Sequence, residues 1–141
     1  MLRAGSGGGS RVAQVGGIEV DVASYADAGF VVVRAVVDAE AVAALQAATD
    51  ALETMASTFV RDTAVGRVYF EVQSASGRKR EPAAHPGALR KITSPSKAEP
   101  AFRALRENRE IVAIIAALGV GSARCVVDQV NPKAARHGTG F

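Results

Sequence analysis

Tryptophan is absent from this sequence and aromatic residues reach only 5% of it, so a core has to be assembled mainly from Val, Ala, Leu and Ile, which bury less area per residue than aromatic rings. A single cysteine, Cys125, excludes an intramolecular disulfide. Its neighbours Val126 and Val127 lead us to expect a buried thiol in a strand, and a reducing, cytoplasmic compartment. Long apolar runs are missing too: Ile111 to Val120 is about half of the roughly 20 residues needed to span a membrane. Residues 1–17 carry Arg3 and Arg11 around a Gly/Ser-rich stretch with no apolar segment, which does not look like a secretory signal and predicts a flexible leader. There is no phosphate-binding glycine loop, no paired-cysteine metal motif and no Gly-x-Ser-x-Gly elbow. The two histidines, His85 and His137, belong to no His-x-Asp or His-x-x-x-His pair, and are read as surface loop residues without a local metal site.

What is present is a chain of 141 residues, 48% hydrophobic, long enough to bury a core. Residues 18–141 are expected to form part of a single domain. The formal charge of +3 is uneven, since residues 61–106 hold 10 basic and 4 acidic side chains while residues 1–60 hold 3 and 7. A basic middle can attract nucleic acid. No aromatic residues interleave with Arg78, Lys79 and Arg80 to stack bases, however, so a solvated loop is the preferred reading and a nucleic-acid partner is not expected.

The periodicities predict an α+β layout. Ile18–Asp21 reads as a short strand, followed by a brief helix closed by Gly29. The β-branched run from Phe30 to Val37 reads as a strand covered on both faces. Asp38 stands at an N-cap position before a helix over 39–60, with Val42, Leu45, Leu52, Met55 and Phe59 as its apolar stripe. From Gly66 the period falls to two: Val68, Phe70 and Val72 point one way, and Arg67, Tyr69, Glu71 and Gln73 the other. A polar loop over 74–87, a strand over 89–92 ended by Ser94-Pro95, a helix from Pro100 and another capped by Asn108 and stopped at Gly119 complete the series. The last expected strand, Ala123 to Asn131, sets Cys125, Val127, Gln129 and Asn131 on one face. Two neighbouring amides suit the wall of a ligand cavity, although on pattern alone the exposed, frayed end of a strand is the preferred reading.

The order of these elements, with Tyr25-Ala26-Asp27-Ala28-Gly29-Phe30-Val31-Val32-Val33, Leu89-Arg90-Lys91-Ile92-Thr93-Ser94-Pro95, Leu118-Gly119, Asp128-Gln129-Val130-Asn131-Pro132-Lys133 and Gly138-Thr139-Gly140-Phe141, resembles the N-terminal half of the phytanoyl-CoA dioxygenase family. The resemblance runs from about Val22 to Phe141. It implies a double-stranded β-helix, or jelly roll, of which this chain supplies the helices and first strands of an incomplete barrel. It also implies an oxidoreductase that hydroxylates an unactivated C–H bond of a small organic substrate with Fe(II), O2 and 2-oxoglutarate. By the same resemblance Lys91 and Asn131 are the expected cosubstrate-binding residues, and Gln129 faces the substrate; a solvated strand-edge lysine is the alternative for Lys91. The family's His-x-Asp motif and distal His, which hold the iron, have no counterpart here, so no catalytic or metal-binding residue is assigned and the chain alone is expected to be an inactive fragment. A non-catalytic interaction module, a degenerate remnant, and an oligomer or partner chain that completes the barrel stand as alternatives. A basic nucleic-acid-binding protein is the weakest of them.

Overall fold

A computed structural model describes residues 11–121 and 123–132. The chain divides into two compact units, Met1–Asp38 with Asn108–Arg124 and Ala39–Glu107 with Cys125–Phe141.

In the first unit, β1 (Val12–Val15) and β2 (Ile18–Asp21) form an antiparallel hairpin around Gly16-Gly17. Both glycines have positive φ, 55° and 85°, as a two-residue hairpin turn demands. Part of the expected leader is therefore a strand. Asp21 caps α1 (Val22–Ala28) by accepting from the Ser24 N–H at 2.9 Å, and Gly29 ends that helix in the left-handed conformation. The Ser24 amide and hydroxyl hold the Asp21 carboxyl below its ordinary value. Asn108 caps α4 (Arg109–Ile115) as predicted, accepting from the N–H groups of Glu110 and Ile111. A π-type turn over Ala116–Val120 follows, kinked at Gly119.

The run from Phe30 to Val37 corrects a sequence expectation: it is not a strand, and Phe30 and Val32 are 66% and 69% exposed. β-branched composition favours extended backbone, but a strand persists only where its N–H and C=O groups find a neighbouring ladder. None of the described strands pairs with this run, and Ala35, at φ 57°, interrupts it.

The second unit is a four-stranded antiparallel sheet, β3 (Thr63–Val65), β4 (Val68–Val72), β5 (Leu89–Thr93) and β6 (Gln129–Val130), in that spatial order, with α2 (Ala39–Met55) against one face. The sheet is not closed into a barrel. Leu52 and Ala56 pack on Val68, Phe70 and Ile92, all at most 3% exposed, with Phe59 edge-on to Phe70 at 5.4 Å between ring centroids. Burial of each large side chain in this cluster is worth about 1.5–3 kcal/mol.

The buried line of α2 keeps Leu52 of the predicted stripe but not the rest of it. Ala48 and Leu52, with Ala56 just past the helix end, face inward while Val42 and Met55 are exposed. Phe59, beyond the helix end, reaches the core from a turn.

Gly87 closes the long loop against that turn. Its N–H donates to the Phe59 carbonyl at 3.0 Å, and a Cβ there would stand 2.8 Å from the Ser57 carbonyl oxygen at φ 76°. After β5, Ser94 turns the chain in a left-handed conformation into a 3-10 turn, Pro95–Lys97, and α3 (Pro100–Arg106).

Candidate functional site

Strand alternation divides the sheet into two chemically distinct faces. Phe70, Ile92 and Val130 lie in one row of register partners on the helix-covered side. Tyr69, Thr93 and Gln129 form the matching row on the other side, with Ala64 next to Tyr69. Glu71 and Lys91 are opposite each other one step further along the same polar face.

The geometry around Glu71 depends on a local irregularity. Glu71 pairs with Lys91, but its neighbour Val72 pairs with Leu89, leaving Arg90 as an extra residue on β5. Such a bulge re-aims side chains. Here Arg90 and Lys91, adjacent in sequence, both reach the same carboxylate: Arg90 Nη1 lies 3.0 Å from Glu71 Oε1, and Lys91 Nζ lies 3.1 Å from Glu71 Oε2. Glu71 is 8% exposed, although its position on the polar face predicted exposure. The two long cations cover it and supply the charge-assisted contacts that make such burial tolerable.

Beside this cluster, Asp62 accepts from the Val72 N–H at 2.9 Å and from the Tyr69 hydroxyl at 3.1 Å. The bond to Asp62 favours the neutral phenol and pushes the Tyr69 hydroxyl above its ordinary value, with desolvation and the charges of Asp62 and Glu71 acting the same way.

Asp128 decides where Gln129 and Asn131 stand. Its carboxylate accepts from the Ser96 N–H at 2.8 Å and the Ser96 hydroxyl at 3.0 Å, and its carbonyl accepts from the Ser94 N–H at 2.8 Å. Ser96 is 2% exposed. These bonds tie residues 32 positions apart and set β6 in register, with Gln129 opposite Thr93. Asn131 follows directly after β6, past the last register pair. Both Gln129 and Asn131 are exposed.

Lys91 and Gln129 thus come to one side of the sheet, with Lys91 already engaged by Glu71, while Asn131 lies just past the end of β6. The predicted strand over 123–131 shrinks to two residues, and Cys125 is exposed, not buried, its thiol donating to the Val127 carbonyl at 3.4 Å. Val126 and Val127 are 84% and 57% exposed, for without a ladder on either side the run has nothing to bury it. His85 lies exposed in its loop as expected; His137 lies outside the described residues.

Glu71, Asp128 and Ser96 carried no assigned role in the sequence. Alternation alone hides Glu71 among solvent-facing positions, and only the paired register reveals the extra residue at Arg90.

A groove of about 300 Å3 lies elsewhere, between α2 and α3, lined by Val42, Leu45, Thr49, Phe102 and Val130. Val130 belongs to the helix side of the sheet, so this groove is separate from the polar face.

A model of the phytanoyl-CoA dioxygenase family matches residues 25–141. The chain belongs to that family. Neither a curated protein nor a solved structure gives a match. The family match begins inside α1 and takes in α2, the whole four-stranded sheet and the polar face. Phytanoyl-CoA dioxygenase relatives generally depend on Fe(II) and 2-oxoglutarate. Among the described residues no group of three or more His, Cys, Asp or Glu side chains stands together to hold a metal ion. Fe(II) bound by three protein ligands on one face therefore does not fit these residues, and no step through iron is derived from them. Nor, among the described residues, is any helix long and apolar enough to cross a membrane.

Proposed function

We propose that this chain forms the cosubstrate wall of an Fe(II)- and 2-oxoglutarate-dependent oxygenase that hydroxylates an unactivated C–H bond of a small organic substrate. The observation that carries the reading is the polar face of the sheet: the Lys91 ammonium and the Gln129 amide on one side, opposite the face that α2 covers. Lys91 supplies the cation for a carboxylate of 2-oxoglutarate, and Asn131, just past the end of β6, supplies an amide donor. Gln129, one pair further along, turns toward the substrate. Tyr69 and Thr93 line the same surface with hydroxyl groups. Iron, when bound in a family member, supplies the oxidising chemistry; the residues described here bind and orient the dicarboxylate. The ligands for the metal then come from outside the described residues, from further sequence or from a partner chain.

Calorimetric titration of the chain with 2-oxoglutarate tests this. Lys91→Gln is expected to weaken binding by about tenfold or more, the cost of removing a charge-assisted contact. Equal affinity in the variant and the parent removes the cosubstrate assignment.

A second reading, in which a partner chain or second copy completes the sheet, is favoured by the exposure of Val126 and Val127 just before β6. Light scattering on the purified protein tests the second copy: a stable assembly with a mass of twice 14.5 kDa or more supports self-association, and a strict monomer removes it.

A further inference from the structure

The Glu71 carboxylate is held as a ligand would be. One oxygen meets a guanidinium at 3.0 Å and the other an ammonium at 3.1 Å, a donor set suited to any carboxylate. Adjacent residues on a regular strand point to opposite faces, so this convergence exists only because β5 carries an extra residue opposite the Glu71/Val72 step. The carboxylate is withdrawn from solvent, whereas the side chains of Arg90 and Lys91 remain 41% and 26% exposed. Both cations are therefore reachable from solvent while their present partner is not. Neither Arg90 nor Glu71 has a part in the cosubstrate wall as argued above.

We propose that Arg90 and Lys91 form a two-cation carboxylate receptor, and that Glu71 is its internal occupant, which keeps the pair assembled and competes with an incoming small dicarboxylate. The proposal rests on the oxygenase reading only in that Lys91 is the shared cation. Arg90 becomes a second anchoring residue, and Glu71 sets the threshold of affinity.

Competition has a sign that a structural role lacks. Glu71→Gln preserves the shape of the side chain and removes the competing charge, so dicarboxylates bind more tightly; a residue that served only to hold the fold would, when altered, weaken binding. Metal-free calorimetry of the full chain with succinate and with 2-oxoglutarate is the test. Glu71→Gln is expected to tighten both by about tenfold, the scale on which one nearby charge acts across a partly exposed site, and Arg90→Gln in that background to cancel the gain. Unchanged or weaker binding in Glu71→Gln overturns the proposal, as does a double variant that binds as tightly as the single one.

A measurement on the unaltered chain guards against a variant that does not fold. The carboxyl 13C resonance of Glu71 is expected to shift as succinate is added, and a resonance that stays fixed at the highest succinate concentration overturns the proposal. If Lys91→Gln weakens succinate but leaves 2-oxoglutarate untouched, the cosubstrate assignment falls and the receptor stands.

Discussion

The two faces of the four-stranded sheet are built from interleaved residues of the same strands, yet they answer to different physics. On the covered face Val68, Phe70 and Ile92 are almost wholly removed from water against Leu52 and Ala56. Their contribution is burial, which is non-directional and tolerates substitution by shape and volume. On the other face Tyr69, Glu71 and Lys91 are joined by directional contacts of 3.0–3.1 Å to Asp62, Arg90 and one another. A change there alters charge and geometry more than it alters the core. One face holds the unit together, and the other is free to carry chemistry.

The largest blow to this contrast comes from the covered face. Phe70→Ala is expected to cost about 3–5 kcal/mol in chemical denaturation, since it removes a fully buried ring and its contact with Phe59 and leaves a cavity. Should Phe70→Ala destabilise by less than a surface substitution, the assignment of the two faces is wrong.

Next in size is Gly87→Ala, at about 2 kcal/mol, because the new Cβ meets the Ser57 carbonyl in a backbone conformation that L-residues disfavour. A thermal melt measures it, and an unchanged midpoint would mean that the loop shifts freely away from that turn.

Asp128→Ala should cost a similar or smaller amount, about 1–2 kcal/mol for hydrogen bonds to a charged group. Its distinguishing mark is local: hydrogen exchange at the Ser96 amide should accelerate more than exchange in β4. Uniform acceleration would show that Asp128 supports the whole unit and not the placement of Gln129 and Asn131.

Tyr69→Phe should have the smallest effect and a pH dependence of known sign. The neutral phenol donates to Asp62, and its folded value is raised above the ordinary 10.0. Its contribution is therefore fully present below pH 10 and is lost as pH rises through the folded value. The stability difference between parent and Tyr69→Phe should vanish across that alkaline range, and the variant should lack a late component in the phenolate absorbance titration. A difference that persists unchanged above it would show that the hydroxyl bond to Asp62 does not form.

Much of the framework was legible in advance. The caps at Asn108 and Gly29, the alternation over Val68–Val72, the strand ending at Ser94-Pro95 and the helix opening at Pro100 all depend on residues within a few positions of one another. The failures share a different cause. Phe30 to Val37 and Ala123 to Asp128 have strand-like composition, but a strand is completed by a ladder partner that composition does not name. The polar face was half legible: alternation placed Tyr69 and Glu71 together and the family resemblance pointed to Lys91, Gln129 and Asn131, while Asp128 went unassigned.

The sequence by itself determined the chain's local grammar: where helices start and stop, where turns form, which residues of β4 look inward, and membership of the phytanoyl-CoA dioxygenase family through the order of its motifs. Only the tertiary structure decided that Ala48 shares the buried edge of α2 with Leu52, that Asp128 reaches back to Ser96, and that an extra residue on β5 turns both Arg90 and Lys91 onto Glu71. Local periodicity is written in residues a few places apart; register, burial and charge pairing arise between segments distant in the chain, as between Ile92 and Val130 or Ser96 and Asp128, and are settled only when the strands meet.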